Sequence, residues 1–231
     1  MTWTIGFDGD DTLWHNETLF SVTQDRFRAM LSHVDPTELD RRLLDTERRN
    51  LNFFGYGIKG FILSLIETAI EVTDGRIEAR DIQTILDAGK TMLTHPVDLL
   101  EGVAETVERL SDHHRLLLIT KGDLFDQESK IARSGLSPHF AGVEIVSEKD
   151  PDTYRRVLAR HGVRPERFVM VGTSVRSDVL PVLALGGQAV HIPYHLTWAH
   201  EAVEPPVKQA GYVRIESMAA LAPVIAGLPK R

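Results

Sequence analysis

The run Ile5-Gly6-Phe7-Asp8-Gly9-Asp10-Asp11-Thr12-Leu13-Trp14 places three carboxylates and a threonine directly behind a short apolar strand, Thr4 to Phe7. In an open parallel sheet ligands bind in the crevice outside the carboxyl ends of the strands, so acids at this point are held where a substrate reaches them. Residues i and i+2 of an extended chain project the same way, and Asp8 and Asp10 can therefore be aimed into one pocket. Carboxylates that close repel each other. They persist as anions beside a cation, or else one of them takes up a proton. With a bound Mg²⁺ one carboxylate can act as nucleophile while its neighbour gives and takes protons. The plain alternative is an Asp-rich turn that merely ends a strand, and the rest of the chain decides between the two.

After Trp14 the periodicity becomes helical, with Leu19, Val22, Phe27 and Leu31 spaced for one buried face. Thr37 to Arg49, Gly60 to Val72 and Ala79 to Met92 continue as helices, so residues 15–95 read as all-helical. From Pro96 the character changes. A helix from Leu99 to Leu110 leads to the apolar run Leu116 to Ile119, a buried parallel strand. Strand and helix then alternate: helix Gln127 to Ser134, strand Val143 to Val146, and helix Asp152 to His161 with Asp150 as N-cap and Pro151 at the first position. Strand Phe168 to Val171, helix Asp178 to Leu185, strand Ala189 to Ile192, strand Tyr212 to Ile215 and helix Met218 to Ala226 complete the series, with an irregular loop from His195 to Pro206. This order predicts an α/β fold with a doubly wound parallel sheet, formed by residues 1–14 and 96–231, into which the helical segment 15–95 is inserted.

Composition narrows the function classes. A chain of 231 residues with 42% hydrophobic content can build a substantial core. A net charge of −7 argues against a general nucleic-acid binder and against a polybasic membrane binder, both of which need clustered Lys and Arg. The absence of cysteine excludes disulfides, thiolate zinc sites and thiol nucleophiles. Neither a basic segment followed by a long apolar one nor a membrane span is visible, and a cytoplasmic location is expected. His191, His195 and His200 are loosely spaced, without the carboxylate or i,i+4 pairing of a zinc site. Arg41-Arg42 and Arg48-Arg49 read as a solvated helix face.

The remaining polar residues fall in a pattern. Asp8, Thr120, Lys149 and the group Gly172-Thr173-Ser174 with Asp178 each lie beyond the carboxyl end of a different predicted strand. An acid pair, a hydroxyl, an ammonium and a further acid on one edge suit a phosphoryl group and a divalent cation. Taken in order, these residues resemble the four motifs of the haloacid dehalogenase-like hydrolase superfamily. Asp8, Asp10 and Thr12 match its D-x-D-x-T, Leu116 to Thr120 its strand ending in a hydroxyl, and Lys149 its helix-start lysine. Gly172 and Asp178 match its Gly-Asp-x-x-x-x-Asp, but Thr173 stands where the first acid is expected.

The resemblance implies a Rossmann-like core with a helical cap inserted after the first motif, and a phosphatase. Asp8 would attack phosphorus, and Asp10 would protonate the leaving alkoxide and later deprotonate water. Asp8, the Asp10 carbonyl and Asp178 would hold Mg²⁺; Thr120, Lys149 and the backbone around Gly9, Asp11 and Lys121 would bind phosphoryl oxygens. Family dehalogenases lack an acid two residues after the nucleophile, so Asp10 favours a phosphatase. A small phosphorylated metabolite is the implied substrate, acted on by a monomer or homodimer. A phosphomutase of the same superfamily and a non-catalytic binding or regulatory protein are the alternatives, the latter supported by Thr173. Within the insertion, Asn52 to Gly60 reads as a helix-to-helix turn whose Tyr56 or Lys59 would contact the leaving group, and Trp14 and His15 stand near the cap hinge.

Overall fold

The computed structural model describes residues 2–229. Its six strands are β1 (Thr4–Phe7), β2 (Arg115–Lys121), β3 (Gly142–Val146), β4 (Phe168–Gly172), β5 (Gln188–His191) and β6 (Tyr212–Arg214). All neighbours pair in parallel, in the order β3-β2-β1-β4-β5-β6. The chain winds outward on one side of β1 and then returns to the other, which puts the topological switch between β1 and β4. Parallel pairing collects every carboxyl end on one edge, the edge at which Asp8, Thr120 and Gly172 stand.

Side-chain alternation along the strands feeds two cores. Ile5 and Phe7, Leu116 and Leu118, and Val169 and Val171 pack with Val103, Val107 and Leu110 of α5 (Val103–Ser111), Ile131 of α6 (Leu124–Arg133), and Leu221 and Ile225 of α9 (Leu221–Gly227). The opposite face, with Leu117, Ile119, Phe168 and Met170, is covered by Tyr154, Val157 and Leu158 of α7 (Pro151–Arg160) and Val182 of α8 (Leu180–Ala184). Helices on both faces of a parallel sheet explain why the strands are continuous apolar runs rather than alternating ones. Asp150 caps α7 as its sequence predicts, accepting from the Thr153 amide at 2.7 Å.

The chain divides into two compact units. The α/β unit takes the chain up to Glu17, Val97–Lys121 and everything from Ser129 onward; the helical unit is Thr18–Pro96 with Gly122–Glu128. The helical unit holds α1 (Glu17–Met30) beyond its first residue, α2 (Pro36–Phe54), α3 (Ile58–Val72) and α4 (Ala79–Thr94). Its core gathers Phe27, Leu31, Leu39, Leu43, Ile62, Leu65 and Ile85.

Several boundaries differ from the sequence reading. Val22 is exposed, and Thr23 is buried in its place, because Leu19, Thr23 and Phe27 form the i,i+4 row that faces inward. Helix α2 runs on to Phe54, so that the turn expected over Asn52 to Gly60 shrinks to Gly55–Gly57, where both glycines take positive φ. The helix expected from Asp178 begins instead as a π-helical turn, Val175–Val179, followed by α8. Such turns place side chains off the regular α-helical row.

Gly6 is a position at which the sheet leaves no room for a side chain. A β-carbon there would lie 2.6 Å from a ring carbon of Phe168 and 3.0 Å from Met170 Sδ. Gly6→Ala is therefore expected to lower stability by about 1–3 kcal/mol through overpacking, read from the urea midpoint; an unchanged midpoint would show that α7 and α8 give way without strain.

Candidate functional site

Continuing the alternation of β1, Asp8 emerges on the α7–α8 side and meets a lysine there. Lys149 Nζ donates to Asp8 Oδ1 at 2.6 Å and to Asp178 Oδ1 at 2.7 Å. All three groups are buried, at 4%, 8% and 1% exposure for Lys149, Asp8 and Asp178. Burial and the charge of Asp178 push the Asp8 carboxyl up to about 7, against the opposing pull of Lys149. Burial works against the Lys149 ammonium, but the charges of Asp178 and Asp8 outweigh it and raise its pKa. Two carboxylates facing one ammonium leave an uncompensated negative charge at this point.

Asp178 is fixed from its second oxygen. Oδ2 accepts from the Ser174 amide at 3.0 Å, and a β-carbon on Gly172 would lie 2.2 Å from that same oxygen. Only glycine at 172 leaves room for the carboxylate, which gives the glycine of this segment a steric reason. Thr12 Oγ1 lies 3.4 Å from Asp8 Oδ2 in a long hydrogen bond.

Asp10 turns to different partners. Its Oδ1 accepts from Trp14 Nε1 at 2.7 Å and from Lys130 Nζ at 3.1 Å, and its Oδ2 lies 3.3 Å from the same ammonium. Lys130, on α6, also donates to Asn16 Oδ1 at 2.9 Å. The expected lysine, Lys149, thus serves Asp8 and Asp178, and a second lysine serves Asp10. The sequence shows Lys130 within a helix rather than beside a strand end, and its one signal is the polar face Asp126, Gln127 and Lys130, all buried.

Thr120 reaches the first loop: its Oγ1 lies 3.3 Å from the position a β-carbon on Gly9 would take, and the Trp14 ring lies 2.7 Å from it on the other flank. Gly9 is therefore a close-approach glycine between indole and hydroxyl. Asp11 departs from the expectation that it helps bind phosphoryl oxygens. Its amide donates to the Trp14 carbonyl at 2.7 Å, and its carboxylate accepts from the amides of Asn16 and Glu17 at 2.9 and 3.0 Å. At φ 59° it holds a left-handed position that Asp tolerates better than most residues, and it caps the start of α1. Burial raises its carboxyl to about 7 despite those amides.

The fourth segment carries contacts that the sequence does not announce. Glu201, from the irregular loop after β5, accepts from Ser174 Oγ at 2.5 Å, Ser177 Oγ at 2.6 Å and Lys121 Nζ at 2.7 Å. Lys121 also donates to Ser177 Oγ at 2.9 Å and Glu148 Oε1 at 3.3 Å. Burial disfavours the Glu201 anion, yet the charge of Lys121 and these three hydrogen bonds hold its pKa down at about 2. Thr173 faces the chain leaving β5: its Oγ1 accepts from the Tyr194 amide at 3.1 Å, and its carbonyl lies 3.0 Å from His191 Nε2. That bond makes Nε2 the donor and leaves Nδ1 to accept from Tyr212 Oη at 2.9 Å. His15 bonds Tyr194 Oη at 2.6 Å. No sequence spacing links Glu201 to Ser174, because the loop between them has no period.

Tyr56 and Lys59 lie in the helical unit, where Lys59 Nζ donates to Asp123 Oδ1 at 2.9 Å and stands 5.4 Å from the Phe125 ring centre. Among the described residues no three His, Cys, Asp or Glu side chains form a ready-made metal cluster, and no helix is long and apolar enough to cross a membrane.

A family model for haloacid dehalogenase-like hydrolases matches residues 4–186. A solved haloacid dehalogenase-like family hydrolase from Xanthomonas campestris is 45% identical, with a TM-score of 0.88 over 97% of this chain and 91% of that one. The L-2-haloacid dehalogenase of Xanthobacter autotrophicus superposes with a TM-score of 0.70 over 99% of this chain and 100% of that one, but at 16% identity it shares the fold alone. A phosphoserine phosphatase of Thermus thermophilus is 34% identical over 82 residues, 33% of each chain, so that the match spans about a third of that protein's length.

Glu201 yields a prediction with a definite sign. Its folded-state pKa is depressed from the ordinary 4.5 to about 2, so the stability it contributes is full above about 4.5 and is lost as pH falls toward 2. Against Glu201→Gln, the wild type should be more stable near neutrality by on the order of 3 kcal/mol, with the gap closing across that acid window. Urea midpoints at a series of pH values measure it; a gap independent of pH would mean that the loop is held by hydrogen-bond geometry and not by the charge.

Proposed function

The chain belongs to the haloacid dehalogenase-like hydrolase family, and on that premise we propose that it is a Mg²⁺-dependent phosphatase of a small phosphorylated metabolite. The observation that carries this reading is the pairing of a buried Asp8, held by Lys149 at 2.6 Å, with a second acid two residues on, Asp10, that is held independently. A nucleophile and a separately mounted proton carrier are what a two-step phosphoryl transfer to water requires. The local match to a phosphoserine phosphatase points the same way.

The donor set suits a hard divalent cation. Asp8 and Asp178 carry one more negative charge than Lys149 neutralises, and a carboxyl pushed up to about 7 gains most from a further cation. Those two carboxylates and the Asp10 carbonyl would hold Mg²⁺, which commonly takes one or two carboxylates and keeps several waters. When bound, the ion withdraws charge from the phosphoryl oxygens and keeps Asp8 ionised.

The steps follow from the chain's own groups. Asp8 attacks phosphorus while Lys149 and Thr120 bind the charge on the phosphoryl oxygens. Asp10 gives a proton to the leaving oxygen as its bond to phosphorus breaks. Water then attacks the aspartyl-phosphate, Asp10 takes its proton, and the bonding electrons return to Asp8. Thr173 supplies no charge to the cation, so metal affinity should fall below that of a site with an acid there. We assign the helical unit the part of a cap that selects the leaving group, with Tyr56 and Lys59 as its candidate residues.

Phosphate release from an aryl phosphate and a panel of metabolite phosphates, with and without Mg²⁺, tests the reading. Activity should require the metal and vanish in Asp8→Asn, and Lys59→Ala should raise KM for the preferred substrate. Halide release from 2-haloacids would establish a dehalogenase instead, fast isomer exchange with slow phosphate release a mutase, and silence across the panel a binding protein.

A further inference from the structure

Asp10 is the acid whose surroundings the family motifs leave undefined, and the molecule specifies them closely. Trp14 Nε1 donates to Oδ1 at 2.7 Å, and Lys130 Nζ donates to both oxygens, to Oδ1 at 3.1 Å and to Oδ2 at 3.3 Å. An indole donor on one oxygen and an ammonium that bridges both fix the rotation of a carboxylate about its last bond. The donors are themselves held. Trp14 is enclosed, with its carbonyl accepting from the Asp11 amide at 2.7 Å and its ring against Gly9. Lys130 is 7% exposed and is tied to Asn16 at 2.9 Å.

We propose that Lys130 is a positioning residue for proton transfer: with Trp14 it holds the Asp10 carboxyl in the orientation from which it hands a proton to the leaving group and takes one back from water. This rests on the phosphatase reading. In the first step the carboxyl O–H bond of Asp10 breaks as the proton moves to the leaving oxygen, the P–O bond to that oxygen breaks, and the bond from Asp8 to phosphorus forms. The carboxylate left on Asp10 keeps its Trp14 and Lys130 hydrogen bonds throughout. In the second step water attacks phosphorus, its proton goes to the Asp10 carboxylate, and the bond from phosphorus to Asp8 breaks. Lys130 itself exchanges no proton. Its second partner, Asn16, keeps the ammonium in place while the carboxyl is protonated.

A lysine that acts through the proton donor has a signature that a merely structural lysine lacks. A p-nitrophenolate leaves without help from an acid, whereas an alkoxide does not. Lys130→Met should therefore reduce kcat/KM for an alkyl phosphate such as glycerol phosphate by roughly 10²-fold or more, and for p-nitrophenyl phosphate by less than about threefold. Lys130→Arg, which keeps the charge, should recover part of the alkyl rate. Equal losses on both esters, or no loss on either, would overturn the assignment. If the wild type releases phosphate from neither ester, the phosphatase reading falls, and the crystal structure of the Lys130→Met protein decides the geometry alone. A carboxylate rotated off Trp14 supports the anchoring role; an unmoved one refutes it. Should the methionine variant not fold, Trp14→Phe removes the other donor to Oδ1 and is held to the same comparison of esters.

Discussion

One buried ammonium, Lys149, stands between two buried carboxylates, Asp8 and Asp178, and the edge of the sheet is arranged around that contact. Taking these charges out of water is costly, and the attraction between them offsets the cost only where the geometry is good and the other lone pairs are met. Each remaining atom is provided for: the Ser174 amide and the gap at Gly172 for Asp178, the Thr12 hydroxyl for Asp8. The three groups come from the end of β1, the approach to α7 and the turn after β4, and they meet beside the switch between β1 and β4. Topology therefore supplies the convergence, and charge balance makes it specific.

The two acids of the first loop do not share a partner. Asp8 follows the side of the sheet covered by α7 and α8, while Asp10 is met by Lys130 from α6, a helix of the other core. Separate ammonium partners hold the two acids apart; Asp10 lies beyond the end of β1 at Phe7, so the strand period of two that would turn it to the side of Asp8 no longer applies. Asp11, the third acid, turns to the chain: its carboxylate accepts from the amides that open α1.

What could be read from the sequence is what depends on local pattern. The strands were legible because buried parallel strands are continuous apolar runs, and Asp8, Thr120, Lys149 and Asp178 because each follows such a run. Helix α7 was legible from Asp150-Pro151 alone. The rest depends on long-range geometry. Lys130 sits mid-helix, where a lysine usually points to water, and nothing in its neighbours shows that its ammonium is bound to Asp10, 120 residues away. Glu201 lies in a loop with no period, and its contacts with Ser174 and Lys121 exist only because that loop returns over the strand ends. The π-helical turn at Val175–Val179 likewise leaves no mark that distinguishes it from an α-helical start.

Thr173 is better understood through these long-range contacts than through the motif. Its hydroxyl and carbonyl are bound by Tyr194 and His191, so that residue 173 ties β4 to the chain leaving β5. Its neighbour Ser174 joins two acids at once, Asp178 through the amide and Glu201 through the hydroxyl. An acid at 173 would add charge to a region where Asp8 and Asp178 already exceed Lys149, and it would need a cation to be tolerated. With threonine there, hydrogen bonds hold the turn, and the acid added to this region is Glu201, paired with Lys121 at 2.7 Å. The Asp178 turn is thereby tied both to the sheet through Lys149 and to the loop after β5 through Ser174 and Glu201, so that one segment joins the strand ends to the irregular chain that returns over them.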